Sequence, residues 1–424
     1  MHFSTQQSRL NRTEGSDARS ALGVLATLFF IWGFISVINN TLLPHLRSVF
    51  DLSYTESTLI ESVWFIAYFL ASMPSAWLIE RLGYKNSMVV GLGIMTLGAI
   101  GMIPAAHLPS YALTLSSLFI IASGITLVQV AANPYVAVVG PPQSASSRLN
   151  LVQAFNSLGT TLAPLFGGYL ILGRSMSGTA VAGGVGLTLA ERLKDARSVE
   201  LPYLIVAAVL ICLAVLIAWY PLPSLGAAAR RAASAERKRL SLWNHPNLIL
   251  GIPAIFIYMI AEIGVGNLFV NFVSQPNIGN LTFEQASHYL FLLWGGMMVG
   301  RFAGGALMRW VAPTRVLTAV AAAAFSVMLC AALGHGHFAM WALISVGLFH
   351  SVMFPTIFTL AIGDLGPLTE EGAGLLFMSV VGGALVIVQG RVADLYGLQP
   401  SFLITAACET YVLFYGLWCS RRTR

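Results

Sequence analysis

The sequence predicts an all-α polytopic membrane protein with twelve transmembrane helices in two six-helix bundles. Three observations carry this. Only 9% of the 424 residues are charged while 57% are hydrophobic, whereas a soluble domain carries about a quarter charged residues. The apolar runs are about 20 residues long, enough to cross a bilayer core, and they lack strict alternation, so they read as helices rather than barrel strands. A basic stretch near the middle splits them six and six.

In chain order, residues 1–20 are polar and carry Arg9, Arg12 and Arg19. No apolar core with an A-x-A end precedes them, so a cytoplasmic tail is expected rather than a cleaved signal peptide. The expected spans are 21–46, 56–80, 86–106, 110–138, 147–172, 201–221, 248–275, 285–309, 314–334, 337–363, 370–393 and 400–420. Residues 21–221 form the N-terminal bundle and 248–420 the C-terminal one. Between them, 222–247 holds Arg230, Arg231, Arg237, Lys238 and Arg239, a basic cytoplasmic linker, and 421–424 is the cytoplasmic C-terminus.

With the N-terminus inside, sixteen of the 23 basic residues fall on the inner side, six on the outer side, and Arg301 lies within a span. That bias places both termini in the cytoplasm. It also explains the net charge of +6 without a nucleic-acid partner. Cys212, Cys330, Cys408 and Cys419 stand alone in apolar segments with no zinc spacing. They read as lipid-facing or packed thiols, and no metal or cofactor is expected.

The polar residues inside the spans carry the function. In Ser123–Gly168, Gln129 and Asn133 lie at i,i+4, while Asn150, Gln153, Asn156 and Thr160 share one stripe. Amides in hydrocarbon either glue helices together or serve a polar ligand such as a sugar. Asn133, just before Pro134, could instead mend a broken helix turn. In span one, Trp32, Ser36 and Asn40 share a face, with Asn39 alongside. An indole can stack on a pyranose while an amide binds a hydroxyl, or the Trp can pack at a helix interface.

In span seven, Asn267 and Asn271 share a face that excludes Glu262. An unwinding at Gly264 and Gly266 would bring both polar sets to one cavity. Two acids are read as lying inside spans, Glu262 and Glu61. Each costs about 2.5–3.5 kcal/mol on insertion scales, so each is a candidate proton carrier, with Glu61 alternatively wetted at the outer mouth. His350 suits hydrogen bonding or a proton relay. Arg301 is expected to anchor or bridge helix ends. Arg148 is expected at a cytoplasmic gate or helix start.

An internal repeat shows at an offset near 222: Phe155 and Ser157 against Phe377 and Ser379, Gly168 against Gly390, and Asn40 opposite Glu262. Ala76-Trp-Leu-Ile-Glu80-Arg81-Leu-Gly83-Tyr-Lys85 follows span two, and Gly304-Gly-Ala-Leu-Met-Arg309 follows span eight. The first resembles the loop signature of the major facilitator superfamily, with Ala76, Glu80 and Tyr84 departing from it. In such a loop Glu80, Arg81, Lys85 and Arg309 would lock helix ends by salt bridges.

Within that superfamily the chain resembles the fucose/glucose–galactose branch of sugar:cation symporters. The resemblance rests on Gln129-Val-Ala-Ala-Asn133-Pro134, Gly140-Pro141-Pro142, Ser147-Arg148-Leu149-Asn150, Gln153-Ala-Phe-Asn156, Phe30-Ile-Trp32-Gly33-Phe34, Leu42-Leu43-Pro44-His45 and Met353-Phe354-Pro355-Thr356. It implies twelve helices, alternating access and a monosaccharide site near mid-membrane. Asn40 stands where the branch carries an aspartate, which moves proton duty to Glu262 or Glu61. Gln129 in place of a second acid fits the glucose/galactose type.

The expected function is uptake of a hexose or fucose-like sugar by a monomer in the inner (plasma) membrane, surrounded by lipid and driven by protons. An uncoupled or sodium-coupled facilitator, or a sugar sensor on this fold, is the alternative. No H-E-x-x-H, G-x-S-x-G or Walker loop is present, so no enzyme is expected.

Overall fold

The computed structural model describes residues 20–36, 54–108, 110–167, 200–222 and 240–422, without the side chains of 54–61, 164–167 and 283–284. Nearly every described residue is helical. The helices are α1 (Ser20–Ser36), α2 (Tyr54–His107), α3 (Tyr111–Val138), α4 (Ala145–Gly167), α5 (Glu200–Trp219), α6 (Pro246–Val273), α7 (Phe283–Leu307), α8 (Pro313–Leu333), α9 (Gly336–His350), α10 (Met353–Ile362), α11 (Thr369–Met378), α12 (Val386–Tyr396) and α13 (Leu398–Arg422).

These make twelve crossings. The long α2 is two spans that meet at Gly83, where φ is 79° and ψ 166°. A left-handed φ is one that glycine adopts without a Cβ penalty, and here it reverses the chain. Two other spans are each built from two helices: α9 with α10, and α11 with α12 across a tight 3-10 segment, Ser379–Leu385. Large apolar side chains such as Leu70, Leu97, Leu204, Ile211 and Val299 are exposed, as expected where lipid is the solvent. Trp219, Trp243 and Trp310 are exposed at or beyond helix ends, where indoles sit at the membrane–water boundary.

The break between α9 and α10 has a sequence cause. Pro355 has no N–H to give the carbonyl of Ser351, and its ring crowds that carbonyl. The Ser351 carbonyl instead accepts from Arg301 Nε of α7 at 3.0 Å. The carbonyl of His350, one residue earlier, accepts from the Tyr258 hydroxyl of α6 at 2.9 Å. Two orphaned carbonyls thus tie spans seven, eight and ten together.

Glycines set the closest approaches. A Cβ at Gly159 would lie 2.2 Å from the Phe30 carbonyl oxygen, and one at Gly33 2.3 Å from that of Asn156. The α1 and α4 backbones therefore touch, which brings Trp32 and Ser36 beside Asn156 and Thr160. Near the start of α4 a second set of contacts forms. Ser146 and Thr359 hydroxyls lie 2.6 Å apart, Ser147 donates to the Gly305 carbonyl at 2.5 Å, and Asn150 donates to Thr356 Oγ1 at 3.2 Å. These join α4 to α7 and α10 and close that end of the molecule.

Candidate functional site

Above those contacts lies a cavity of about 360 Å³, within the ~300–1,000 Å³ usual for small-ligand sites. Of the residues singled out from sequence, Trp32, Ser36, Gln129, Gln153, Asn156, Thr160, Glu262, Asn267 and Arg301 line it. Trp64, Tyr68 and Phe354 line it too. Tyr68 was legible only as one aromatic among many in span two.

The amides are held in place from behind. Gln129 Nε2 bonds the Tyr68 hydroxyl, and Gln153 Nε2 donates to Asn133 Oδ1 at 3.0 Å. Asn133 Nδ2 in turn donates to the Gln129 carbonyl at 2.9 Å, and Asn156 Nδ2 to that of Phe29 at 3.1 Å. Gln129, Gln153 and Asn156, which line the cavity, are thus held in fixed orientation by their hydrogen bonds. Trp32 Nε1 is buried with no partner among the described residues, a donor awaiting an acceptor.

Several expectations are corrected. Asn133 is fully buried and outside the cavity lining; it orients Gln153. Asn150 leaves the stripe of Gln153, Asn156 and Thr160 and seals the closed end instead. The expected unwinding in span seven is absent: α6 is one continuous helix from Pro246 to Val273. Gly264 and Gly266 serve packing, since a Cβ there would meet Gln389 Oε1 at 2.2 Å and the Trp294 ring at 3.2 Å. The cavity face is Met259, Glu262, Ile263 and Asn267, at i, i+3, i+4 and i+8, and Asn271 is exposed elsewhere. Asn39 and Asn40 lie outside the described residues, as does the Glu61 side chain.

The cations meet expectation in part. Arg301 bridges a helix end, the Ser351 carbonyl that closes α9, and also faces the cavity. It is 8% exposed, lines the cavity, and donates to Ser157 Oγ at 2.6 Å and the Gln153 carbonyl at 3.3 Å. It thereby joins α7 to α4, within electrostatic reach of Glu262 and Tyr258. Arg148 stands at the start of α4, one of the two places expected for it, and in its described bonds it does not reach across to the C-terminal spans. Its guanidinium donates to the carbonyls of Val136, Ala137 and Pro141 and to Ser144 Oγ, capping the end of α3.

In the first loop, Lys85 donates to the Tyr220 carbonyl at 2.9 Å just beyond α5. Arg81 stacks on Trp77 of its own helix, 3.7 Å from the ring centroid, and Arg309 is exposed. One intramembrane acid was missed: Glu409 of α13 is fully buried. An acid in the middle of span twelve was a signal available in the sequence.

Comparison with known proteins gives the family. Residues 24–389 match the Major Facilitator Superfamily. The chain belongs to the major facilitator superfamily. A glucose/galactose transporter of Brucella abortus biovar 1 (strain 9-941) is 44% identical over 398 residues, 94% of this chain and 93% of that one. An L-fucose-proton symporter of Escherichia coli (strain K12) is 33% identical over 430 residues, 98% of each chain. The chain lies in the branch of the superfamily that holds these two. A crystal structure of a Major Facilitator Superfamily transporter, FucP, in the outward conformation superposes with a TM-score of 0.86 at 32% identity, covering 95% of this chain and 99% of that one. This major facilitator protein is therefore a multi-pass membrane transporter and not an enzyme.

Proposed function

We propose that the chain takes up a monosaccharide, a hexose of the glucose/galactose kind or a fucose-like sugar, together with a proton. The observation that carries this is the cavity wall. Neutral amides, an unpartnered indole N–H and aromatic faces converge there with a single carboxylate, Glu262, beside a buried guanidinium, Arg301. Amides and hydroxyls exchange for a sugar's hydration shell without fixing a charge, and aromatic rings cover its C–H faces. The names of the two relatives support the same reading.

Glu262 is the proton carrier in this scheme. It faces the sugar's space and lies within reach of Arg301 and Tyr258. Ionised, it pairs with Arg301; protonated, it can donate to a sugar hydroxyl. Sugar and proton then favour each other's binding. Residues 21–221 and 248–420 are the two moving halves with 222–247 as linker. The termini and the closed end face the cytoplasm of the inner membrane, and the monomer is the working unit. The contacts of Ser146, Ser147 and Asn150 with α7 and α10 are the inner gate.

Uptake into proteoliposomes under imposed proton and sodium gradients tests this. A proton gradient drives accumulation, sugar addition alkalinises the medium, and Glu262→Gln abolishes both while sugar-for-sugar exchange continues. Accumulation driven by sodium alone, or undiminished alkalinisation in Glu262→Gln, would overturn it.

A further inference from the structure

A second titratable group lies behind the cavity. His350 ends α9 and Glu409 sits mid-way along α13. Their Nε2 and Oε1 are 2.7 Å apart, and the side chains are 2% and 0% exposed. The other carboxyl oxygen, Oε2, is buried with no partner among the described residues. Two titratable groups in hydrocarbon depth with one valence left open are costly as mere glue, because aliphatic side chains would pack there without desolvating charge.

The pair is linked to the cavity. The Tyr258 ring meets the imidazole edge-on with centroids 5.6 Å apart, and its hydroxyl donates to the His350 carbonyl. Tyr258 lies one helical turn before Glu262, within electrostatic range of it and of Glu409. His350 also precedes Ser351, whose carbonyl holds Arg301. The charged or titratable groups around the pair are Tyr258 and Glu262 from α6, Arg301 from α7 and Cys408 from α13. In the remaining neighbours, α8 has none between Arg315 and Cys330, α10 has none, and Arg391 and Asp394 of α12 are exposed.

Proton bookkeeping follows from this list. With Nδ1 protonated and one further proton shared between Nε2 and Oε1, the pair is neutral, whichever of the two atoms holds the shared proton. Without it the pair carries one negative charge. Arg301 is always positive, so the cluster is neutral when Glu262 is ionised and the pair holds its proton. It is equally neutral when Glu262 is protonated and the pair has lost its proton. The two sites therefore oppose one another in a medium that penalises net charge.

We propose that the His350–Glu409 pair is a second proton-binding site of this transporter, loaded and emptied in antiphase with Glu262. The proposal rests on the proton-coupled reading of the cavity. The link is electrostatic and mechanical, since the one hydroxyl proton of Tyr258 is committed to the His350 carbonyl. Each site exchanges its proton with water, and none passes through the tyrosine.

Two measurements test it. In proteoliposomes, His350→Asn and Glu409→Gln keep sugar-for-sugar exchange within about threefold of the unmutated protein, while proton-driven accumulation falls about tenfold or more, a coupling of the usual allosteric size. Unchanged accumulation in both variants would overturn the proposal. Infrared difference spectra across pH, on the protein carrying Glu262→Gln and Glu61→Gln with isotope-labelled glutamate, read proton binding directly and do not depend on the variants at 350 and 409 folding. A buried glutamate carboxyl band that titrates there is the expected result; its absence overturns the proposal. A titrating band there, together with an unmutated protein that shows no proton-coupled uptake, would instead overturn the coupled reading and leave the pair a proton site.

Discussion

At the residue scale, the type of each cavity side chain was legible and its direction was not. Gln129, Gln153 and Asn156 stood out because amides in apolar runs need partners. Asn133 stood out for the same reason, yet it faces away and serves Gln153. Only the rotation of α3 against α4 separates lining from support, and one sequence does not fix it. Arg301 was read from its closeness to the loop after span eight. Its true partner, the Ser351 carbonyl, exists because Pro355 on another span released it. Glu409 escaped for want of a neighbouring motif, although an acid at that depth is itself a signal. The supporting role of Asn133 makes a measurable prediction. Asn133→Ala strands Gln153 and raises the sugar KM about fivefold, near 1 kcal/mol. Gln153→Ala does the same or more, and the double variant costs less than the sum, because both act through one hydrogen bond. Additive costs in uptake kinetics would show that Asn133 meets the sugar on its own account.

At the element scale, hydropathy revealed the spans because each must satisfy its backbone internally and show apolar side chains to lipid. It did not reveal that spans ten and eleven are each two helices. Those breaks depend on contacts that only the assembled bundle supplies, such as Gly382 against the Phe256 carbonyl, where a Cβ would come within 2.1 Å. The predicted unwinding of span seven failed for a related reason: glycine pairs in a helix mark close packing as readily as a break. The α1–α4 contact turns this into a prediction. Gly159→Ala sets a methyl against the immovable Phe30 carbonyl and should cost about 1–3 kcal/mol as overpacking. Gly93→Ala, with nothing within 4 Å of the new carbon, should gain about 1 kcal/mol of helix propensity. Thermal unfolding in detergent should therefore lower the midpoint for the first and hold or raise it for the second. Equal midpoints would mean that the two helices are not in backbone contact.

At the scale of the whole molecule, the bonds between α4 and the pair α7 and α10 decide which side of the cavity is shut. They are short, buried and almost all neutral, with Ser146 on Thr359, Ser147 on the Gly305 carbonyl, and Asn150 on Thr356. Each is worth about 1 kcal/mol net, so together they can hold one state and still be broken in each cycle. The salt-bridge lock expected of Glu80, Arg81, Lys85 and Arg309 belongs to the loops; the contacts here are made by neutral hydroxyls and amides. If they form the gate, a covalent bond in their place must stop transport without emptying the site. The Ser146 and Thr359 oxygens are 2.6 Å apart, which places their β-carbons near the ~3.5–4.5 Å that a disulfide spans. The joint variant Ser146→Cys and Thr359→Cys, oxidised in proteoliposomes, should lose uptake by more than about tenfold while keeping sugar binding from the open side, the outcome expected when one of two states is removed. Reductant should restore uptake, and each single substitution should respond to neither treatment. Uptake that persists with the disulfide formed would place the gate elsewhere, and the halves would have to part without opening this end.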